Sequence, residues 1–299
     1  MLRILKDRAS QGVRGLRSFR IAGLPVAVSS QELLIVGEKW GKFVAPIQTA
    51  RLCYDVRYDT LLPSDDGEVL FEQPYLKVVR QAQGKRYIYS NFCTATVTAS
   101  ALETIDEGGT VCRQIVIPRE RHPWGTAAEH LFDLYDFAHY LPMFGKMLLH
   151  CAYVLYEGRA ILFVAPSGTG KSTQAQLWRD QLGARIINGD RAAVGMEDGV
   201  PMAYGLPFSG SSGDCENIDA PIAAIIALSQ AKENRAQELR GAQALKALMR
   251  GAYILPQHQE DLPKQISVAQ EILQCVPMYA LACLPEASAV QALRSVLKL

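Results

Sequence analysis

Lys171, Ser172 and Thr173 follow the small-residue run Ala165-Pro166-Ser167-Gly168-Thr169-Gly170, which itself follows the apolar stretch Leu162-Phe163-Val164. An amine and two hydroxyls set behind paired glycines suit a polyphosphate. Backbone N–H groups of Ser167 to Ser172 can wrap phosphate oxygens where side chains leave room, so Gly168 and Gly170 take the positions of closest approach. Lys171 then reaches the β and γ phosphates. Ser172, with Thr173 beside it, offers a hydroxyl to Mg²⁺, and the start of the following helix adds favourable partial charge. The strict phosphate-loop pattern asks for glycine where Ala165 stands, a change that restricts the turn without forbidding it. A plain strand-to-helix turn capped by Ser172 is the alternative reading. The apolar strand before the loop and the helical pattern after it favour a nucleotide-binding loop made of Ser167, Gly168, Thr169, Gly170, Lys171, Ser172 and Thr173.

A second chemical group stands nineteen positions beyond Lys171. Ala184-Arg185-Ile186-Ile187-Asn188-Gly189-Asp190-Arg191 reads as a buried strand that delivers Asp190 at its carboxyl end. A phosphate loop needs an anionic ligand for Mg²⁺, or a base for the attacking hydroxyl, beside the γ phosphate, and Asp190 fits either role. Arg191 is expected to pair with Asp190 rather than to touch a phosphate. Other groups are less suggestive. His122, His130 and His139 fall on different faces around one helical stretch, which points to surface or partner contacts rather than metal ligation. His258, in the turn Pro256-Gln257-His258, reads as a solvated loop residue. The seven cysteines are scattered without any ligand spacing and read as reduced thiols.

The elements that must hold these groups fall into two blocks, a β-rich N-terminal domain over residues 1–125 and an ATP-binding domain over 126–299. Runs such as Arg51 to Arg57, Glu68 to Phe71, Tyr75 to Val79 and Val111 to Ile117 alternate or are β-branched, while Ile21 to Val28 and Glu32 to Val36 are short apolar strands. VVRQAQGKRYIY predicts a hairpin with Gln83-Gly84 at its tip. The pattern then turns helical: Thr126 with Glu129 forms a capping box opening a helix to about Tyr140. A short helix is expected over Gly145 to Leu149, then strands over His150 to Leu155 and Ala160 to Val164, and a helix over Ser172 to Gln181 closed by Gly183. Tyr204 to Gly213 is a second Gly/Ser-rich loop, either a mobile lid or a plain connection. Pro221 to Leu228 and Val276 to Leu284 read as buried strands, with helices over Gly241 to Arg250, Val268 to Gln274 and Glu286 to Leu297.

Composition narrows the classes. Thirty-one basic against thirty acidic residues leave a formal charge of +1, so no global field points to nucleic acid or to an anionic membrane. The first twenty residues are basic but lack the apolar core of a secretory signal, and no run is long enough to span a bilayer. A cytoplasmic location is expected.

Taken together, His150, APSGTGKST and IINGDR resemble the C-terminal kinase domain of the HPr kinase/phosphorylase family, itself similar to phosphoenolpyruvate carboxykinase. The resemblance covers about residues 145 to 230 and includes GLPFSGSSG and PIAAIIALSQ, which look like those of diverged HPr-kinase-related proteins of bacteria. It implies an α/β fold with a P-loop kinase domain of this type and a separate β-rich (α+β) N-terminal domain. His150 matches a family histidine preceding the loop, Lys171 and Ser172 match the phosphate lysine and the metal-ligand hydroxyl, and Asp190 matches one member of an acidic pair. Gly189 stands where the other acid would be, which leaves the division between base and Mg²⁺ ligand open.

The resemblance implies a kinase using ATP and Mg²⁺ that phosphorylates a hydroxyl, most plausibly serine of a peptide, protein or free amino acid. Asp190, His150 and Lys171 are its catalytic candidates, and Ser172 and Asp190 its metal ligands. Two other readings stay open. The missing acid favours a nucleotide-gated binding protein without phosphoryl transfer. A small-molecule kinase or carboxykinase-like enzyme ranks last, because the sequence shows no clustered Arg/His set for a carboxylic acid. Family members form hexamers, but the N-terminal half does not match theirs, so a homo-oligomer remains an open expectation.

Overall fold

A computed structural model describes residues 15–32, 36–121, 135–210 and 213–297. The chain forms two compact units, the first ending at Asp136 and the second beginning at Phe137. Both are mixed structures dominated by a large sheet, with few helices. The expected boundary at 125/126, the capping box at Thr126 and Glu129, His122, His130 and residues 33–35 lie outside the described residues.

The first unit is one eight-stranded sheet. Its strands are β1 (Gly15–Ile21), β2 (Leu24–Ser30), β3 (Leu52–Asp59), β4 (Glu68–Gln73), β5 (Leu76–Gln81), β6 (Gly84–Ser90), β7 (Val97–Ile105) and β8 (Val111–Pro118), in the order β1-β2-β3-β8-β7-β6-β5-β4. β3 is parallel to both neighbours, β2 and β8, and the other pairs are antiparallel. Alternation does the sorting: Leu52, Tyr54, Val56 and Tyr58 of β3 are buried, while Cys53, Asp55 and Arg57 point to the other face. On the buried side Trp40, from the one-turn helix α1 (Glu38–Gly41), meets Phe19 and Tyr135 edge-on. The predicted hairpin is present, with its turn one residue earlier, at Ala82-Gln83. Gly84 belongs to β6, where an added Cβ would come within 1.9 Å of the Glu103 carbonyl oxygen on β7, so strand crowding selects the glycine there.

In the second unit β9 (Lys146–Tyr156), β10 (Arg159–Val164), β12 (Arg191–Glu197), β13 (Val200–Tyr204), β14 (Asp219–Gln230), β15 (Arg235–Leu239) and β16 (Met278–Cys283) run in the order β10-β9-β12-β13-β14-β16-β15. A short β11 (Arg185–Asn188) also pairs with β9. The long β14 starts against β13 and then lies parallel between β10 and β16. Both faces of this parallel trio are covered. Leu162 and Ile225 pack with Leu248 and Ile272 of helices α4 (Gly241–Met249) and α5 (Leu262–Cys275). Phe163 and Ile226 pack with Trp178 and Leu293 of α3 (Lys171–Leu182) and α6 (Ala287–Arg294). Two-sided burial explains why these strands are continuous apolar runs.

It also explains a misreading. The helix expected over Gly145 to Leu149 is absent: a 3-10 turn over Leu141–Phe144 ends at Gly145, whose φ is 67°, and Lys146 already begins β9. Lys146 to Leu149 are all buried, and a segment covered on both faces shows no period to distinguish helix from strand.

Candidate functional site

The site is assembled from three strand ends and one helix start. β10 ends at Val164, the chain turns through 165–170, and α3 begins at Lys171. Ala165, the departure from the phosphate-loop pattern, is buried and packs into the core beside Phe163 and Trp178. Gly168 (φ 76°) and Gly170 (φ 112°) hold left-handed backbone, and nothing lies within 4 Å of where their Cβ atoms would stand. Conformation therefore selects glycine at both positions, and the space beside them stays open. No side chain caps α3 at Gly170. Its first-turn N–H groups are therefore available to an anion, with the helix dipole behind them.

Lys171 is 6% exposed, and its Nζ donates to the carbonyl oxygens of Ala165, at 2.9 Å, and Pro166, at 3.3 Å. These bonds tie the lysine across the base of the loop. Burial lowers its pKa, and the nearby Asp190 carboxylate acts in the opposite direction.

Asp190 sits in the two-residue turn between β11 and β12, held by a group that sequence reasoning missed. Asn188 is fully buried and makes four hydrogen bonds. Its Nδ2 donates to the carbonyls of Leu206 (3.3 Å) and Phe208 (2.8 Å), and its Oδ1 accepts from the N–H groups of Asp190 and Arg191, both at 3.0 Å. One side chain thus fixes the acid-bearing turn and the Gly/Ser loop together. That loop is a packed connection over Tyr204 to Gly210, with Leu206 and Phe208 buried. Residues 211 and 212 lie outside the described residues. Gly210 presses on the acid: a Cβ there would stand 2.9 Å from both Cβ and Cγ of Asp190.

The carboxylate has two neighbours, an imidazole and a guanidinium. Oδ1 lies 3.3 Å from Nε2 of His150 on β9, which is opposite Arg191 in the β9–β12 register. Oδ2 accepts from Arg191 Nε at 2.7 Å and lies 2.5 Å from Nη2, the pairing expected from sequence. The His150 hydrogen bond, with the Arg191 guanidinium, holds Asp190 well below the usual carboxylate range despite its partial burial.

These residues meet in one cavity of about 350 Å³, lined by His150, Ser167, Gly168, Gly170, Lys171, Ser172, Thr173, Gly189, Asp190 and Gly210. Of the catalytic, nucleotide-binding and metal-ligand candidates, Thr169 alone is not among the residues lining it. It lines an adjoining cavity of about 400 Å³ that shares Gly168, Gly170 and Thr173 and is completed by residues such as Gln174, Gln230, Cys283 and Leu284. The β16 side of that second cavity carries no sequence signal.

Two histidines stand apart from expectation. His139 and His258 are buried, not surface or solvated, and stack at 3.5 Å between ring centroids with 9° between planes. Asp261 Oδ2 lies 2.5 Å from His139 Nδ1. Ligand atoms of the three residues lie within 4.8 Å of one another. In-plane lone pairs on parallel rings do not converge on a point, however, so the arrangement is that of a buried, hydrogen-bonded stack. It ties helix α2 (Phe137–Tyr140) to the 3-10 turn Pro256–Asp261 ahead of α5.

No protein-family model matches the chain, and no curated protein matches it. Among solved structures the chain is similar to the HPr(Ser) kinase/phosphatase from Coxiella burnetii. The match has 10% identity and a TM-score of 0.29, over 50% of this chain and 95% of that one. It marks a distant structural likeness to a kinase/phosphatase. Among the described residues no helix is long and apolar enough to cross a membrane.

Proposed function

We propose that the chain is an ATP-dependent kinase, with a P-loop domain of the HPr kinase type, that transfers the γ-phosphoryl group to a hydroxyl. The favoured acceptor is serine of a peptide, protein or free amino acid, in the cytoplasm. One observation carries the reading: Lys171 on a helix start and Asp190 on a turn far along the chain line the same open cavity, with the loop glycines between them.

The residues fit ATP and Mg²⁺. The first cavity is lined by loop amides and hydroxyls suited to a triphosphate, and the adjoining one, sharing the loop, has room for a nucleoside. Ser172 and Asp190 supply the oxygen donors that a hard cation prefers. When bound, Mg²⁺ supplies charge neutralisation for the phosphate oxygens. Lys171 and the amides of Ser167 to Ser172 orient and stabilise the transferring group. Asp190, kept ionised by His150 and Arg191, is a weak base and a good metal ligand. That assigns removal of the acceptor proton to His150, the other titratable side chain on the cavity wall able to accept it.

Gly189, where a second acid would stand in the family pattern, also lines the cavity and favours the alternative of a nucleotide-gated binding protein. Incubation with γ-labelled ATP, Mg²⁺ and either free L-serine or a serine-peptide library separates the two. A kinase yields labelled phosphoserine with the wild type and none with Lys171→Ala. Nucleotide binding without any labelled acceptor, in cell lysate as well, supports the binding protein and overturns the kinase.

A further inference from the structure

Cys53 and Cys112 lie directly opposite each other in the parallel β3–β8 register. Both are partly exposed, on the face of the first unit's sheet opposite its aromatic core. Paired residues on adjacent strands stand about 4.8 Å apart, within the Cα separation of roughly 4.4–6.8 Å that a disulfide spans. The two side chains are hydrogen-bonded, which pushes the Cys53 thiol up and draws the Cys112 thiol down toward its thiolate, while Asp106 opposes the negative charge on both. The other accessible thiols lie elsewhere: Cys93 in the β6–β7 connection and Cys275 at the end of α5 are exposed, and Cys283 at the end of β16 is partly exposed.

We propose that Cys53 and Cys112 are a redox modification site that forms a reversible cross-strand disulfide. With a small-molecule disulfide such as oxidised glutathione as the oxidant, the Cys112 thiolate attacks one glutathione sulfur, and one reduced glutathione leaves. Cys53 then loses its proton and attacks the Cys112 sulfur, and the second reduced glutathione leaves. The protein dithiol gives up two electrons and two protons, and one oxidised glutathione becomes two reduced molecules. The product staples β3 to β8.

The full chain, reduced and then incubated with oxidised glutathione, is quenched with an alkylating agent, digested without reductant and mapped by mass spectrometry. The expected result is a linked peptide pair joining Cys53 to Cys112, with mixed disulfides confined to the remaining accessible thiols, Cys93, Cys275 and Cys283. In Cys53→Ala, checked for fold by circular dichroism, Cys112 retains glutathione, and its alkylation before oxidation slows several-fold because the hydrogen-bond donor is gone. The proposal is overturned if Cys53 and Cys112 stay alkylatable, or each carry separate glutathione, at a time when Cys93 is fully modified.

Discussion

Asp190 carries an acid whose charge is fixed by its neighbours. Because its pKa in the folded chain lies below the usual 3.8, the carboxylate contributes stability that is fully present above that value and lost as pH falls through the depressed one. In urea denaturation, the wild type should therefore lose this contribution only below about pH 4, and Asp190→Asn should lack that slope. An unchanged slope in the variant would place the ionised form elsewhere. Lys171 makes the complementary prediction. Lys171→Ala removes the charge aimed at the cavity and should lower phosphoryl transfer at least a thousandfold, about 4 kcal/mol of transition-state stabilisation. Its far-ultraviolet circular dichroism should match the wild type, and retention of wild-type turnover would remove Lys171 from the mechanism.

Elements place these side chains through contacts invisible along the chain. Asn188→Ala would strand the Phe208 carbonyl and two N–H groups, leaving the Leu206 carbonyl only the Cys215 thiol, and should cost about 2–4 kcal/mol of unfolding free energy together with activity, because Asp190 and the 204–210 connection both lose their anchor. Gly210→Ala is subtler. Its Cβ would collide with the Asp190 side chain, so turnover should fall about tenfold or more with little change in the thermal midpoint. The phosphate-type loop was legible in sequence because its signal is local: an apolar strand, left-handed glycines and a lysine within a few positions. Asp190 was legible for the same reason. Asn188 was not, since its worth comes from carbonyls at 206 and 208, and nothing in an Asn-Gly-Asp string reports them. His139 and Asp261 meet across 122 positions, which is why a buried stack was read as surface histidines. The start of β9 was missed because burial on both faces erased its period.

At the scale of the molecule, the described residues that line the cavity and form the two cores around it all lie in the second unit. A fragment beginning at residue 137 should therefore unfold cooperatively on heating and still shift its midpoint upward with ATP and Mg²⁺. A fragment with no cooperative transition would make the two units one folding body. The first unit is an eight-stranded sheet with a buried Arg113 set between Glu103 and Asp136. The most direct test of the whole account is calorimetric titration of the full chain with ATP in the presence of Mg²⁺, repeated with Lys171→Ala and with the metal chelated. Binding should weaken at least a hundredfold in the variant and fall on chelation, whereas no ATP binding by the wild type, or equal binding by the variant, would rule out a nucleotide site at this loop.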